Sequence, residues 1–330
     1  MKIHQIGKVT NLRIVQIVTV LINLIMFSSI GNAAILSQEH FDDANFTSRG
    51  WYDNTSGFII STTEHIPGST GSVEFHFLQG ATQPTSGGAI RKLFTPTTQV
   101  YVSFYIKYSA NYTGSNQPYH PHEFFLMTTE NDAYRGPAYS YLTAYIEHNE
   151  GEPVLAIQDG QNIDETQIGV DLSSVTENRS VAGCNGSSDS YPAGTCYVAS
   201  PTTHWNGKQW RAGSVYFQDN PGSYYKNDWH LVEAFFKLNS IDVHGKGQPD
   251  GEVKYWFEGV LIIDHTDVAL RTGQRPNMAF NQLLIAPWIA PTDGSGSPID
   301  QKMWVDNLTI ATSRPTDSIA PSPPTNLNVQ

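Results

Sequence analysis

Tyr101-Val-Ser-Phe-Tyr-Ile-Lys-Tyr108 alternates strictly: Val102, Phe104 and Ile106 form one set, and Tyr101, Ser103, Tyr105 and Lys107 the other. A side-chain period of two puts such sets on opposite faces of a β-strand. The rhythm recurs on both sides of this stretch. In Ser72–Leu78, Val73, Phe75 and Phe77 oppose Glu74 and His76. In Tyr139–His148, Leu142, Ala144 and Ile146 make an apolar face, and Tyr139, Tyr141, Thr143, Tyr145 and Glu147 a polar, aromatic one. Phe124–Thr129, Trp229–Leu238, a hairpin of Glu252–Phe257 and Val260–Asp264 about Glu258-Gly259, Phe280–Ala286 and Met303–Ala311 continue the series. Helical periodicity is nearly absent, and Gly, Pro, Asn and Asp cluster between the runs. This is the pattern of an all-β, two-sheet antiparallel sandwich.

The first residues stand apart from that pattern. Lys2, Lys8 and Arg13 precede a mostly apolar stretch, Ile14–Ile30, and small residues follow at Gly31, Ala33 and Ala34. The arrangement is that of a secretory signal over residues 1–33, so the protein is expected to be secreted, periplasmic or at the cell surface, with no membrane attachment after cleavage. Removing that segment takes the formal charge from −12 to −15. Nucleic acid, which wants a basic face, is excluded as a partner. Cys184 and Cys196 are the only cysteines, and in an exported chain they are expected to form one disulfide. The sandwich is assigned to residues 34–312. Residues 313–330 read as a Pro/Ser-rich linker with a stub, either the start of a further module or a vestigial tail.

Asp228-Trp-His-Leu-Val-Glu-Ala-Phe-Phe-Lys-Leu-Asn239 is followed by Asp250-Gly-Glu-Val-Lys-Tyr-Trp-Phe-Glu-Gly-Val-Leu-Ile-Ile-Asp264, then Arg271, then Met303-Trp-Val-Asp-Asn-Leu308. With Phe41-Asp-Asp43 and Gly50-Trp51 near the start, this order resembles the concanavalin-like jelly rolls of laminin-G-like modules and of some polysaccharide lyases, including alginate-lyase types. The resemblance spans roughly residues 39 to 312 and concerns strands and turns more than chemistry. It implies a carbohydrate-active jelly roll whose partner is an extracellular polysaccharide. Pro321-Ser-Pro-Pro-Thr-Asn-Leu-Asn-Val329 resembles the opening strand of a fibronectin type III module.

Function must be argued from a site. The polar face of Tyr139, Tyr141, Thr143, Tyr145 and Glu147 is amphipathic: rings stack on sugars and hydroxyls bond to them. Tyr105 and Lys107 are expected on a neighbouring strand of the same face. An ordinary solvent-facing sheet has the same composition. His120-Pro-His122-Glu123 offers His122 as a catalytic, sugar-binding or structural histidine, without the further ligands that a metal site needs. Arg91, Arg135, Gln158, Arg271 and Asn281-Gln282 are candidates to bind a substrate carboxylate. A lyase needs a base, an acid and a group that neutralises the uronate carboxylate. The residue types fit His122 or Tyr141 as base, Tyr145 or Tyr139 as acid, and Arg91, Gln158 or Arg135 as neutraliser. Glu147, Tyr105 and Lys107 would line the substrate. The net negative charge opposes a polyuronate at long range.

A retaining glycosidase needs two carboxylates about 5 Å apart. The nearest string, Glu130-Asn-Asp132-Ala-Tyr-Arg135, ends in Arg where the acid/base should stand. A lectin-like or adhesion module needs only the groove and its loops. No cofactor is required by either reading, although Asp42, Asp43 and Asp306 would adjoin if the first and last strands pair, as strand-end caps or as ligands of a structural calcium.

Overall fold

The computed structural model describes residues 33–115, 122–128, 142–158, 207–245, 247–268, 270–271, 276–289 and 295–315. In chain order the strands are β1 (Ile35–Glu39), β2 (Trp51–Asp53), β3 (Ile59–Ser61), β4 (Ser72–Phe77), β5 (Ile90–Thr97), β6 (Gln99–Tyr108), β7 (His122–Thr128) and β8 (Leu142–Asn149). They continue as β9 (Glu152–Gln158), β10 (Gly207–Arg211), β11 (His230–Lys237), β12 (Gly251–Phe257), β13 (Val260–Val268), β14 (Phe280–Trp288) and β15 (Gln301–Ala311). One 3-10 turn, Phe46–Arg49, precedes β2. No α-helix occurs among the described residues, and none of their helices is long and apolar enough to cross a membrane. The signal segment through residue 32, Cys184, Cys196 and the stub from residue 316 lie outside them.

The strands form two antiparallel sheets. One has the order β13-β12-β11-β6-β15-β4-β3, with β1 added on β15; the other has the order β10-β9-β8-β7-β14-β5-β2. The inner faces bury Val102, Phe104 and Ile106 of β6, Val253 and Phe257 of β12, and Leu142, Ala144 and Ile146 of β8. Phe104 stacks on Phe124 of the other sheet at 4.1 Å. Each such side chain contributes about 1.5–3 kcal/mol by leaving water, and interdigitation between sheets is what a sandwich core consists of. The turn between β12 and β13 falls at Glu258 and Gly259, both with positive φ (50° and 75°), the geometry of a two-residue hairpin turn. The fold class is the two-sheet jelly roll that the alternation predicts. Sequence periodicity had not marked β1, β2, β3, β5, β9 or β10.

The opening motif has a structural task. Glu39, at the end of β1 and 2% exposed, accepts hydrogen bonds from Trp51 Nε1 (2.7 Å), Arg49 Nε (2.8 Å) and the Phe41 amide (2.9 Å). The first strand is thereby tied to the edge of the opposite sheet.

Candidate functional site

The alternation of β8 holds in three dimensions. Leu142, Ala144 and Ile146 face the core, and Thr143, Tyr145 and Glu147 face outward from the seven-stranded sheet. Thr143 and Glu147 are buried while Tyr145 is half-buried. Its ring packs on Phe125, its partner across the β7–β8 ladder, at a centroid distance of 4.8 Å.

Ladder registers extend this row across the sheet. Phe125 stands opposite Leu284, Leu284 opposite Arg91, and Arg91 opposite Tyr52. The adjacent row runs Leu93, Gln282, Met127, Thr143 and Gln158. Gln282 Nε2 donates to the Tyr52 hydroxyl at 2.6 Å, and Arg91 Nε donates to Asp53 at 2.7 Å. Arg91 and Tyr145 therefore share a face but stand three strands apart, about 14 Å at the usual strand spacing. Sequence reasoning missed Phe125 and Tyr52; the outward parity of Phe125 on β7 was the available signal.

Several expected site residues are placed elsewhere. Tyr105 and Lys107 do not join this face: β6 belongs to the eight-stranded sheet, between β11 and β15. Lys107 Nζ donates to Glu64 at 2.7 Å and lies 5.9 Å from the Trp304 ring. Burial, then the charges of Glu258, Glu233 and Asp306, push the Tyr105 phenol up. The reason for the misplacement is geometric, since alternation divides a strand into two faces without saying which sheet it joins. Arg271 is a loop staple: its guanidinium donates to the carbonyls of Asn239 (2.8 Å) and Pro276 (2.9 Å). Tyr139, Tyr141 and Arg135, and the side chains of His122 and Gln158, lie outside the described residues. Their strand positions are nonetheless set, His122 opposite Trp288 and Gln158 opposite Thr143.

The first and last strands do pair. The three aspartates there cap turns: Asp42 accepts from Thr70 Oγ1 (2.6 Å), Asp43 from Arg49 (2.6 Å), and Asp306 from the Ile66 amide (3.0 Å) and Ser69 Oγ (3.2 Å). The Thr70 bonds lower the Asp42 pKa and the Arg49 bond lowers that of Asp43, whereas burial raises Asp306 to about 6. Among the described residues no three His, Cys, Asp or Glu side chains converge as a cation site.

No protein-family model matches the chain, and no curated protein matches it by sequence. Solved structures do match. A marine alginate lyase from Aplysia kurodai aligns over 85% of this chain and 98% of its own, with 12% identity and a TM-score of 0.51. Alginate lyase vAL-1 from Chlorella virus aligns over 84% of this chain and 100% of its own, with 12% identity and a TM-score of 0.51. At that identity the likeness establishes the fold, the jelly roll of these lyases.

Proposed function

We propose that this chain is an exported carbohydrate-active protein that binds an extracellular polysaccharide along the outward face of the seven-stranded sheet and cleaves it by β-elimination. The observation that carries the reading is Tyr145: a half-buried phenol on that face, packed on Phe125 and flanked along its own strand by buried Thr143 and Glu147. β-Elimination removes the proton beside a uronate carboxylate and expels the sugar oxygen. It needs a group that takes or gives a proton at the reacting ring and polar donors that hold the developing charge. A phenol placed among polar side chains on an outward sheet face suits the first task. Gln158, which stands in register with Thr143, suits the second. Arg91 suits a carboxylate further along the polymer. The likeness to alginate lyases supports the fold that this chemistry needs.

A binding-only reading also has an observation in its favour. No Lys or Arg stands opposite or diagonal to Tyr145 on the adjoining strands: those positions are Phe125, Met127, Val154, Ala156 and Gln158. A uronate beside Tyr145 would find no cation on these strands. The two readings separate in one assay. Over a panel of polyuronates, a lyase raises the ultraviolet absorbance of unsaturated uronate ends. Retention on a polysaccharide gel with no absorbance rise on any substrate would sink the lyase reading and leave the lectin-like one.

A further inference from the structure

At one end of the sandwich, four polar side chains meet between the sheets. Tyr108 ends β6 and Tyr255 lies in β12, both in the eight-stranded sheet; Glu123 is the second residue of β7 and His148 lies near the end of β8, both in the other. All are 4% exposed or less. The Tyr108 hydroxyl donates to Glu123 Oε1 at 2.7 Å. His148 Nδ1 lies 2.7 Å from the Tyr108 oxygen and 2.8 Å from Glu123 Oε2, and His148 Nε2 lies 2.7 Å from the Tyr255 hydroxyl. With a neutral imidazole these contacts close in one way. Tyr108 spends its only O–H on Glu123, so Nδ1 carries the ring hydrogen and donates it, and Nε2 accepts from Tyr255.

Tyr108 and His148 form the floor of an open cleft of about 510 Å³, within the range of small-molecule sites. Tyr112 and Phe217 wall it: Tyr112 packs on Tyr108 at 4.4 Å, and Phe217 on His148 at 4.4 Å. Buried Lys226 holds its ammonium on the Tyr112 carbonyl and on Asp219, and Glu150 lies at the rim. Both lips are fixed in advance. The amides of Tyr216 and Phe217 donate to the Gly151 carbonyl (2.9 and 3.0 Å), and those of Thr113 and Gly114 donate to Gln301 Oε1 (2.8 and 3.0 Å).

The charges decide what such a cleft admits. Lys226 is offset by Asp219, while Glu150 and Glu123 add negative charge, so a uronate is repelled. Aromatic walls beside the uncharged polar side chains of Thr113, Gln218 and Asn220, which also line the cleft, suit an uncharged ring with an apolar face and a hydroxyl rim. We propose that this cleft binds a neutral sugar, separately from the sheet face on which a uronate polymer would be read. The choice of a sugar over another neutral polar ligand rests on the carbohydrate reading above.

The test uses the whole chain and measures heat of binding and saturation transfer with neutral glucose- and mannose-built disaccharides and with a uronate trisaccharide. Val215 and Asp219 line the cleft and are substantially exposed, Val215 at 46% and the Asp219 side chain at 81%, so changes there leave the core alone. A neutral disaccharide should bind, and Val215→Trp, which fills the cleft, should weaken it at least about tenfold. Asp219→Asn, which frees the Lys226 charge, should let the uronate trisaccharide compete for the same cleft. No binding by any neutral disaccharide, or binding unchanged in Val215→Trp, overturns the proposal. Uronate turnover, assayed in parallel, should be the same in Val215→Trp as in the parent. A parent that binds the neutral sugar in the cleft yet turns over no uronate would defeat the lyase reading and leave this one standing.

Discussion

At the scale of single residues, half-buried Tyr145 and buried Glu39 show two uses of a polar side chain. Tyr145 is the phenol proposed to meet the substrate. Tyr145→Phe keeps the ring on Phe125 and removes the hydroxyl proposed to exchange a proton, so turnover of a polyuronate should fall by about 10²–10⁴-fold while the protein stays folded. Steady-state rates beside a thermal melt check this, and an active Tyr145→Phe would move the chemistry elsewhere. Glu39 is structural. Glu39→Ala leaves the Trp51 indole N–H and part of the Arg49 guanidinium without an acceptor. The loss should be about 2–4 kcal/mol in a denaturant titration; Glu39→Gln, which keeps an acceptor oxygen, should cost less.

At the scale of elements, the turn between β8 and β9 depends on Gly151. Its φ is +80°, and a Cβ there would stand 2.4 Å from the Phe217 carbonyl oxygen. Its own carbonyl anchors Tyr216 and Phe217. Gly151→Ala should cost about 1–3 kcal/mol, and the loss should concentrate in residues 212–226. Hydrogen exchange should show faster amides there than in β6 or β15, and uniform loosening would contradict the assignment. Element by element, most strands were legible because one face of each is apolar and the other polar. Two kinds of strand stand out among those that escaped notice. β2 and β3 have three residues each, too few to show a period. β9 has Val154, Leu155, Ala156 and Ile157 all buried, so it reads as a continuous apolar run. Tyr108, His148 and Tyr255 occupy core positions of otherwise apolar alternations. That breach of pattern was the visible sign of the polar cluster, but which strands would meet was not written in any one of them.

At the scale of the whole molecule, the charge balance and one buried carboxylate shape the response to pH. Burial raises Asp306 to about 6, above the ordinary aspartate value of 3.8. The folded state therefore holds this proton more tightly than the unfolded one, and the group's contribution is present below the lower value and lost as pH rises through the upper. Between about pH 7 and pH 4 the parent should gain about 2 kcal/mol relative to Asp306→Asn, read as the difference between two stability-versus-pH curves. Asp42, Asp43, Asp250 and Glu252, whose pKa values are lowered, act the other way in both proteins, losing stability as pH falls, and cancel in that difference. Parallel curves for the two proteins would show that Asp306 does not carry the shift.

By itself, the amino-acid sequence determined the fold class, the faces of the long strands, the hairpin at Glu258-Gly259 and the outward placement of Tyr145 and Glu147, because side-chain period and turn chemistry are local properties. Only the tertiary structure decided that β6 lies in the sheet opposite β8, separating Tyr105 and Lys107 from Tyr145. It alone placed Arg91 three strands from Tyr145 and brought Tyr108, Glu123, His148 and Tyr255 together. Sheet membership and strand order arise from contacts between segments far apart in the chain, and the period within a strand carries no information about them.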